Sequence, residues 1–351
     1  MAPPTVVDAR LRFRYDEDDP AVTGVALECD PVVPGPRELR RDGDGWVLDL
    51  PRPPLHRIEY RLAVRRGEHT DVVLDPSNPT SVPTAFGDRS VLELPGYVAP
   101  WWLSAPAEPG RLDPMTLAGE TADDVPVTIW SPESLDADTA APLLFVHDGP
   151  EYDLLAGITT YSAALVAAGT LPPHRVALAH PVLRDAWYSG SPRYLRTVAA
   201  AGLDRIGDHY ATSGPVVVMG ASLGGLTALL VGILAAPRVG GVFAQSGSFF
   251  QVRHDDSEST YPYFDRISRA VQQVLDTRDP EHHLVVGMTC GALEENAANN
   301  RDMAAALRRA GHDVSYREVA DLHNYTAWRD ALDPALTEVL RSTWRHPDAR
   351  G

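Results

Sequence analysis

The stretch from Gly214 to Leu230, GPVVVMGASLGGLTALL, constrains the fold of this chain more than any other. Its residues 216–219 are three valines and a methionine, and such a short apolar run predicts a buried strand. The run breaks at residues 220–225, GASLGG, and the apolar segment that follows is too long for a second strand. The pattern therefore predicts a strand, a tight turn and a helix, with Ser222 in the turn.

Ser222 stands in a G-x-S-x-G pattern that begins at Gly220 and ends at Gly224. In a nucleophile elbow, small residues flank the serine because the turn is strained and the strand and helix pack closely around it. Such a turn exposes the serine hydroxyl at the N-terminus of the helix. The alternative interpretation is a glycine-rich turn without chemistry, but the strand and the helix on either side favour a nucleophile.

Length and charge limit the classes of protein to which the chain can belong. It has 351 residues, of which 44% are apolar, enough for a substantial core and for two domains. Its 31 basic residues, all of them arginine, are outnumbered by 48 acidic residues, so the net charge is −17. Phosphate binding requires a surplus of positive charge on some face, so we expect no nucleic-acid partner.

The N-terminal residues and the cysteines predict a cellular compartment. The first residues lack the basic start and apolar core of a signal peptide, and no apolar run is long enough to span a bilayer. Cys29 and Cys290 lie far apart and in no C-x-x-C pair, which favours free thiols in a reducing compartment. We therefore expect a cytoplasmic protein without a membrane partner.

Residues 1–105 predict a small all-β domain. Turn residues rich in Pro, Gly, Asp and Asn separate short β-prone runs, a spacing typical of an antiparallel sandwich of immunoglobulin type. The predicted strands are 11–15, 22–28, 45–50, 58–64, 70–75 and 90–94. Residues 94–110, rich in Pro, Gly and Trp, predict the domain boundary.

Residues 106–351 alternate strands with helices, which predicts a mostly parallel sheet covered by helices on both faces. The predicted strands are 125–130, 143–148, 175–180, 216–220, 241–246, 283–289 and 314–319. The predicted helices are 155–168, 194–210, 222–236, 263–276, 295–310 and 329–343. With the elbow, this pattern indicates an α/β-hydrolase catalytic domain preceded by the sandwich.

Two later strand ends supply partners for Ser222. In an α/β-hydrolase the triad follows the chain order serine, acid, histidine, and the strand ends meet at one edge of the sheet. The loop after strand 283–289 offers Glu294 and Glu295 as the acid, and the loop after strand 314–319 offers His323. His323 would take the Ser222 proton and return it to the leaving alcohol, while the carboxylate orients the imidazole. A capping or surface histidine is the alternative for His323.

The remaining chemistry is an oxyanion hole. The backbone N–H of Leu223 supplies one predicted donor, and the backbone N–H near Gly149, in the loop after strand 143–148, supplies the other. We interpret the neighbouring His147 as structural. The sequence shows neither a metal-binding motif nor a dinucleotide fingerprint, so we expect no cofactor and no metal site.

At these residues the chain resembles the enterochelin (ferric siderophore) esterases within the esterase-D-like α/β-hydrolases. The resemblance rests on LDPSNP (74–79), DRSVLELPGY (88–97), FVHDGPEY (145–152), GASLGG (220–225), QSGSFF (245–250), GALEENAANN (291–300) and HNYTAWRDAL (323–332). It implies Ser222 as nucleophile, His323 as base and Glu294 as acid, with Glu295 as the alternative. It also implies hydrolysis of the ester (lactone) bonds of a ferric catecholate siderophore in the cytoplasm, with iron belonging to the substrate.

A bulky, anionic and aromatic substrate requires cationic side chains near the elbow, and we predict Arg184 as one of them. Two other functions remain open. A carbohydrate-side-chain esterase, such as a feruloyl or acetyl esterase, would use the same triad but usually carries a secretion signal. A non-catalytic binding protein could use the hydrolase scaffold, although all three types of triad residue are present.

Overall fold

The structure is a computed structural model that describes residues 3–7, 9–17, 19–30, 33, 35–118 and 124–344. The chain divides into two compact units. The first comprises Met1–Val98 with Ala320–Asn324, and the second comprises Ala99–Val319 with Tyr325–Gly351. A five-residue segment therefore groups with the first unit although the residues before and after it belong to the second.

The residues of the first unit that the structure describes form two antiparallel sheets. One has the strand order β1-β2-β5-β4, and the other has the order β3-β6-β9-β8 with β7 paired to β6. The strands are β1 Thr5–Val7, β2 Arg10–Asp16, β3 Val22–Cys29, β4 Arg40–Asp42, β5 Gly45–Pro51, β6 Arg57–Arg66, β7 His69–Val73, β8 Ser81–Val82 and β9 Arg89–Glu93. The six predicted strands are confirmed, and the three that sequence analysis missed are two or three residues long.

Side-chain alternation explains why these strands form a sandwich. In β2, Leu11, Phe13 and Tyr15 are buried while the arginines between them face outward. The rings of Phe13 in β2 and Tyr60 in β6 meet edge to face, with their centroids 5.0 Å apart, so the two sheets share one core. The all-β sandwich prediction is confirmed.

The second unit is built on one eight-stranded sheet with the order β10-β11-β13-β12-β14-β15-β16-β17. The six strands from β13 to β17 in this order run parallel, and β10 and β11 are antiparallel at one edge. The strands are β10 Gly110–Leu117, β11 Val125–Pro132, β12 Leu143–Val146, β13 Arg175–Ala179, β14 Val216–Ala221, β15 Val239–Gln245, β16 Val285–Gly291 and β17 Asp313–Val319. All seven predicted strands are present, and the edge strand β10 was missed.

Ten α-helices lie in the described part of this unit, eight of them between strands and the last two after β17. They are α1 Gly149–Ala156, α2 Ile158–Ala167, α3 Arg184–Tyr188, α4 Pro192–Arg196, α5 Leu203–His209, α6 Leu223–Leu234, α7 Phe264–Asp276, α8 Ala297–Arg309, α9 Tyr325–Asp330 and α10 Leu332–Thr343. The helix predicted at 155–168 is two helices because Gly157 ends α1 in the left-handed conformation, with φ 64°. The prediction at 194–210 is likewise divided by a π-helical turn, Thr197–Gly202. None of the helices in the described ranges is long and apolar enough to cross a bilayer.

Strand β14 lies inside the sheet with both of its faces covered. Val216 and Val218 belong to a core cluster that includes residues of α6, α7 and α8, whereas Val217 and Met219 belong to a second cluster with residues of α2 and α10. This two-residue alternation confirms the buried strand and the helices on both faces. It brings the end of β14, and Ser222 after it, to the middle of the sheet's carboxyl edge.

Candidate active site

Ser222 occupies the turn between β14 and α6 in a strained backbone conformation. Its φ is 56° and its ψ is −123°, outside the regions that residues with a side chain usually adopt. The Ser222 N–H donates to the carbonyl of Gln245 at 2.9 Å, and the Ser222 carbonyl accepts the N–H of Gly225 at 3.0 Å. The predicted strand, tight turn and helix are confirmed, and the serine is partly exposed.

Glycines around the serine are required by close approaches. A Cβ on Gly220 would lie 2.5 Å from the Gly224 carbonyl carbon, and one on Gly225 would lie 3.2 Å from the Gly247 Cα. A Cβ on Gly224 would lie 3.1 Å from the Asp148 carboxylate. The turn therefore closes against the loops that follow β12 and β15, which leaves no room for larger residues.

Three neighbouring strand ends share the same unusual conformation. Among the residues that the structure describes, the non-glycine residues with positive φ are Asp148 at 53°, Ser222 at 56° and Ser246 at 47°. They follow β12, β14 and β15, which are adjacent in the sheet. Strained residues of this kind concentrate at functional sites, and the carboxyl edge of a parallel sheet is where such sites form.

The loop after β15 contacts the serine directly, which sequence analysis did not predict. The hydroxyls of Ser248 and Ser222 are 3.2 Å apart, and the Ser248 N–H donates to the Ser222 carbonyl at 3.0 Å. Ser248 is buried. The only sequence signal for this loop is the serine-glycine stretch QSGS at 245–248, which assigns no role to an individual hydroxyl.

Glu294 lies buried in the loop after β16. Its Oε1 accepts the Ser246 hydroxyl at 2.8 Å and the Gly291 N–H at 2.8 Å, and the Cys290 thiol points to Oε2 at 3.7 Å. Burial raises the pKa of the Cys290 thiol, so the thiol remains a protonated donor. Glu294 is thus part of a network that spans the ends of β15 and β16, whereas Glu295 is exposed.

His323 lies in the segment Ala320–Asn324, which follows β17 and groups with the first unit. Two contacts anchor this segment to the start of β6. The Ala320 carbonyl accepts the N–H of His56 at 2.6 Å, and the buried Asp321 carboxylate forms an ion pair with Arg57 at 2.6 Å. The His323 side chain is exposed. Sequence analysis assigned no role to Asp321 or Arg57.

Both predicted oxyanion donors lie at the first residue of a helix. Leu223 begins α6, and Gly149 begins α1, so their amides have no partner inside their own helices. A Cβ on Gly149 would lie 2.3 Å from the Leu178 Cα, so only glycine fits where α1 passes β13. Helix N-termini present amides and a partial positive charge, which suits a developing oxyanion.

Arg184, the predicted substrate ligand, has an internal partner. From the start of α3, its Nε and Nη2 donate to the two carboxylate oxygens of Asp148 at 2.8 and 2.9 Å. Asp148 is buried, and 36% of the Arg184 side chain remains exposed. Burial raises the pKa of Asp148, and the Arg184 guanidinium partly offsets this effect. Sequence analysis did not find this ion pair.

His147 is fully buried beside this loop. Its Nδ1 is 3.2 Å from the Tyr194 hydroxyl, and the rings of Phe145, Tyr188 and Tyr194 surround it. Burial lowers the pKa of His147 to about 3, so the imidazole is neutral near pH 7. These contacts support the interpretation of His147 as a structural residue.

Neither cysteine is in a disulfide, as predicted: Cys29 ends β3 and Cys290 lies in β16. Within the described ranges, no group of three or more His, Cys, Asp or Glu side chains is arranged to hold a metal ion.

The chain matches a known protein family and part of one curated relative. A match to the model of the Esterase family, described as "Putative esterase", spans residues 118–339. An alignment over 123 residues shows 36% identity to the iron(III) enterobactin esterase of Dickeya dadantii (strain 3937). It covers 33% of this chain and 27% of that relative's length.

Two solved structures share the fold at low sequence identity. The enterobactin esterase FES from Shigella flexneri, crystallised in the presence of enterobactin, is 19% identical with a TM-score of 0.76, over 97% of this chain and 95% of that chain. A ferulic acid esterase is also 19% identical, with a TM-score of 0.56 over 66% of this chain and 98% of that chain. Since the family match spans more than half of its residues, the chain belongs to the Esterase family of ester hydrolases and has an α/β-hydrolase fold preceded by a β-sandwich.

Proposed function

We propose that this chain is a serine esterase that hydrolyses the ester (lactone) bonds of a ferric catecholate siderophore, such as enterochelin. The observation that carries the proposal is the strained turn at Ser222, with φ 56° and ψ −123°, in a chain of the Esterase family. The partial identity to an iron(III) enterobactin esterase supports the substrate class. Iron is part of the substrate and is released when the ligand is cleaved.

The proposed reaction proceeds through an acyl-enzyme. The Ser222 Oγ attacks the ester carbonyl carbon while His323 accepts the hydroxyl proton, and the amides of Leu223 and Gly149 stabilise the oxyanion. The tetrahedral intermediate collapses as His323 protonates the leaving alcohol. Water, deprotonated by His323, then attacks the acyl-enzyme carbonyl carbon. As this second intermediate collapses, His323 returns the proton to the Ser222 Oγ and the acid is released. Glu294 orients the imidazole and stabilises its charged form.

Burial and hydrogen bonding support Glu294 over Glu295 as the acid. Glu294 is 7% exposed and accepts donors from Ser246, Gly291 and Cys290, which hold the carboxylate in one orientation. Glu295 is exposed. A triad acid must keep its histidine in one tautomer and orientation, and a fixed carboxylate is suited to that task.

Arg184 is the proposed contact for the anionic substrate. About a third of its side chain is exposed, and the ion pair with Asp148 engages Nε and Nη2 of the guanidinium. Because Asp148 balances its charge, Arg184 would recognise substrate by hydrogen bonding more than by net attraction. The chain's net charge of −17 gives no long-range attraction for an anion.

We also propose that the reaction takes place in the cytoplasm and involves neither nucleic acid nor a membrane. The free thiols of Cys29 and Cys290 support a reducing compartment. The excess of acidic residues is unfavourable for binding nucleic acid.

A direct comparison of substrates tests the proposal. The intact chain is incubated with a ferric trilactone catecholate siderophore and, separately, with a feruloylated sugar ester, and the products are resolved by mass spectrometry. We expect siderophore cleavage that is lost in Ser222→Ala. Cleavage of the sugar ester alone would contradict the proposed siderophore substrate and would indicate a carbohydrate-side-chain esterase. If neither ester is cleaved and a fluorophosphonate probe does not label Ser222, the result would indicate a non-catalytic binding protein instead of an enzyme.

A further inference from the structure

Ser246 lies between the proposed triad acid and a tryptophan of helix α9. Its Oγ is 2.8 Å from Glu294 Oε1 and 3.0 Å from Trp328 Nε1. All three side chains are buried, with exposed fractions of 7% or less. The mechanism described above counts Ser246 among three donors to Glu294, and it assigns no role to Trp328.

The chemistry of these groups determines the direction of both hydrogen bonds. An indole N–H can only donate, so the Ser246 oxygen is the acceptor from Trp328. A hydroxyl has a single hydrogen, and that hydrogen is then directed to the Glu294 carboxylate. Trp328 therefore sets the rotamer of a hydroxyl that donates to Glu294, because a reversed arrangement would leave the indole N–H without its acceptor.

The backbone of Ser246 is fixed independently of Glu294. Its φ is 47°, its N–H donates to the Thr289 carbonyl at 2.7 Å, and its carbonyl accepts Asn296 Nδ2 at 3.1 Å. A strained conformation persists only where the surroundings determine it. The next residue, Gly247, is held on both its N–H and its carbonyl by Asn300 of α8. The position of the Ser246 hydroxyl is thus set by the loop and not by the carboxylate.

We propose that Ser246 is a positioning residue for the esterase reaction, because it holds the Glu294 carboxylate in the orientation that the base His323 requires. Trp328 in turn fixes the direction of the Ser246 hydroxyl. The inference rests on the proposed function, in which Glu294 is the triad acid. Helix α9, which carries Trp328, begins two residues after His323 in the chain. The arrangement therefore links the acid to the helix that follows the base.

The test measures kcat and KM for an activated neutral ester. Ser246→Gly removes the hydroxyl and tolerates the positive φ, so the loop conformation is retained. Because a hydrogen bond to a charged group is lost, we expect kcat to fall by about tenfold or more with KM unchanged. Trp328→Phe keeps an aromatic ring but removes the N–H and reduces the ring size, and we expect a smaller loss of kcat, about threefold. Ser162→Ala, at a buried serine of α2, is the matched control and should keep wild-type kcat.

A double-mutant comparison separates positioning from general stability. If Ser246 acts through Glu294, adding Ser246→Gly to Glu294→Gln should change kcat by less than about twofold. An equal loss of kcat in both backgrounds would show a purely structural role and overturn the inference. The inference alone also fails if Glu294→Gln lowers kcat but Ser246→Gly and Trp328→Phe do not. If Glu294→Gln keeps wild-type kcat, the acid assignment of the proposed function is wrong, and the role of Ser246 fails with it.

Discussion

Arg184 holds Asp148 through both carboxylate oxygens, with Nε 2.8 Å from Oδ1 and Nη2 2.9 Å from Oδ2. Asp148 immediately precedes Gly149, one of the proposed oxyanion donors, and has a left-handed backbone with φ 53°. Its carboxylate also approaches the elbow, because a Cβ on Gly224 would lie 3.1 Å from Oδ2. The ion pair therefore contacts the first turns of both helices that carry the proposed donors.

Substituting Arg184 should impair the reaction even with an uncharged substrate. In Arg184→Lys the charge remains, but the two-point contact with Asp148 is lost. We expect about a tenfold lower kcat for a neutral activated ester, since the loop before Gly149 is no longer held. KM for the anionic siderophore should rise in addition. Steady-state kinetics on both substrates measure the two effects.

The same experiment separates the two proposed roles of Arg184, which are positioning the oxyanion loop and binding the anionic substrate. An unchanged kcat on the neutral ester would contradict the positioning of the oxyanion loop. A KM ratio between siderophore and neutral ester equal to that of wild type would contradict substrate binding by Arg184. Arg253→Met is the control because Arg253 is an exposed arginine paired with Asp302.

The two adjacent glutamates should differ sharply on substitution. Glu294→Gln is expected to lower kcat by about 10²–10⁴-fold, because an amide cannot stabilise the imidazolium or fix its tautomer. Glu295→Gln should remain within about twofold of wild type, since Glu295 is exposed. Ser222→Ala and His323→Ala should each abolish turnover with an unchanged circular dichroism spectrum. A large effect at Glu295 with none at Glu294 would exchange the two assignments.

Gly220 should tolerate no side chain. In Gly220→Ala the new methyl group would lie 2.5 Å from the backbone of Gly224, and a backbone neighbour cannot rotate away. We expect a loss of about 3 kcal/mol in the free energy of unfolding, together with a loss of turnover. Gly207→Ala, in helix α5, is the matched control, because the new Cβ would lie 3.8 Å from the Thr212 hydroxyl oxygen. This variant should be neutral or slightly stabilising. Equal urea midpoints for the two variants would refute the steric argument.

Two buried histidines should make the protein sensitive to acid. Burial lowers the pKa of His147 to about 3 and that of His174 to about 4. The unfolded chain protonates these side chains near pH 6.5 while the folded chain does not, so stability falls as the pH drops below about 6.5. The loss extends to about pH 4 for His174 and about pH 3 for His147, at up to about 1.4 kcal/mol per pH unit for each group.

Asparagine variants check this dependence. In His174→Asn the side-chain amide can replace the Nδ1–H that donates to the Pro172 carbonyl, while the titrating group is removed. Urea unfolding at pH 7 and pH 5 should show a smaller drop in stability for His174→Asn and His147→Asn than for wild type. A drop as large as that of wild type in both variants would assign the acid sensitivity to other groups.

The elbow was predictable because its signal is local. Residues 216–219 alternate between two apolar cores, and Gly220 is required by its close approach to Gly224 within the turn itself. The order of strands and helices in the hydrolase unit follows from the same short-range periodicity. Strand β10 was not predicted because its apolar pattern is weak. It is an edge strand that contains Pro114 and exposes Leu112 to solvent.

The supporting residues of the site could not be predicted because their partners are distant in sequence. Arg184 is 36 residues from Asp148, and Ser246 is 48 residues from Glu294. Periodicity and spacing carry no information about such pairs. The loop sequence alone left both Glu294 and Glu295 open, although the family resemblance favoured Glu294. Only the folded chain places Glu294 in a buried network and Glu295 at the surface.

The grouping of Ala320–Asn324 with the sandwich has a consequence for recombination. The carbonyl of Ala320 and the carboxylate of Asp321 are held by His56 and Arg57, which lie more than 260 residues earlier in the chain. A fusion that replaced residues 1–98 with an unrelated module would retain His323 but discard both anchors of its loop. We therefore expect the sandwich and the hydrolase to be inherited as one unit, and libraries that shuffle them between homologues to yield active chains only when both come from the same parent.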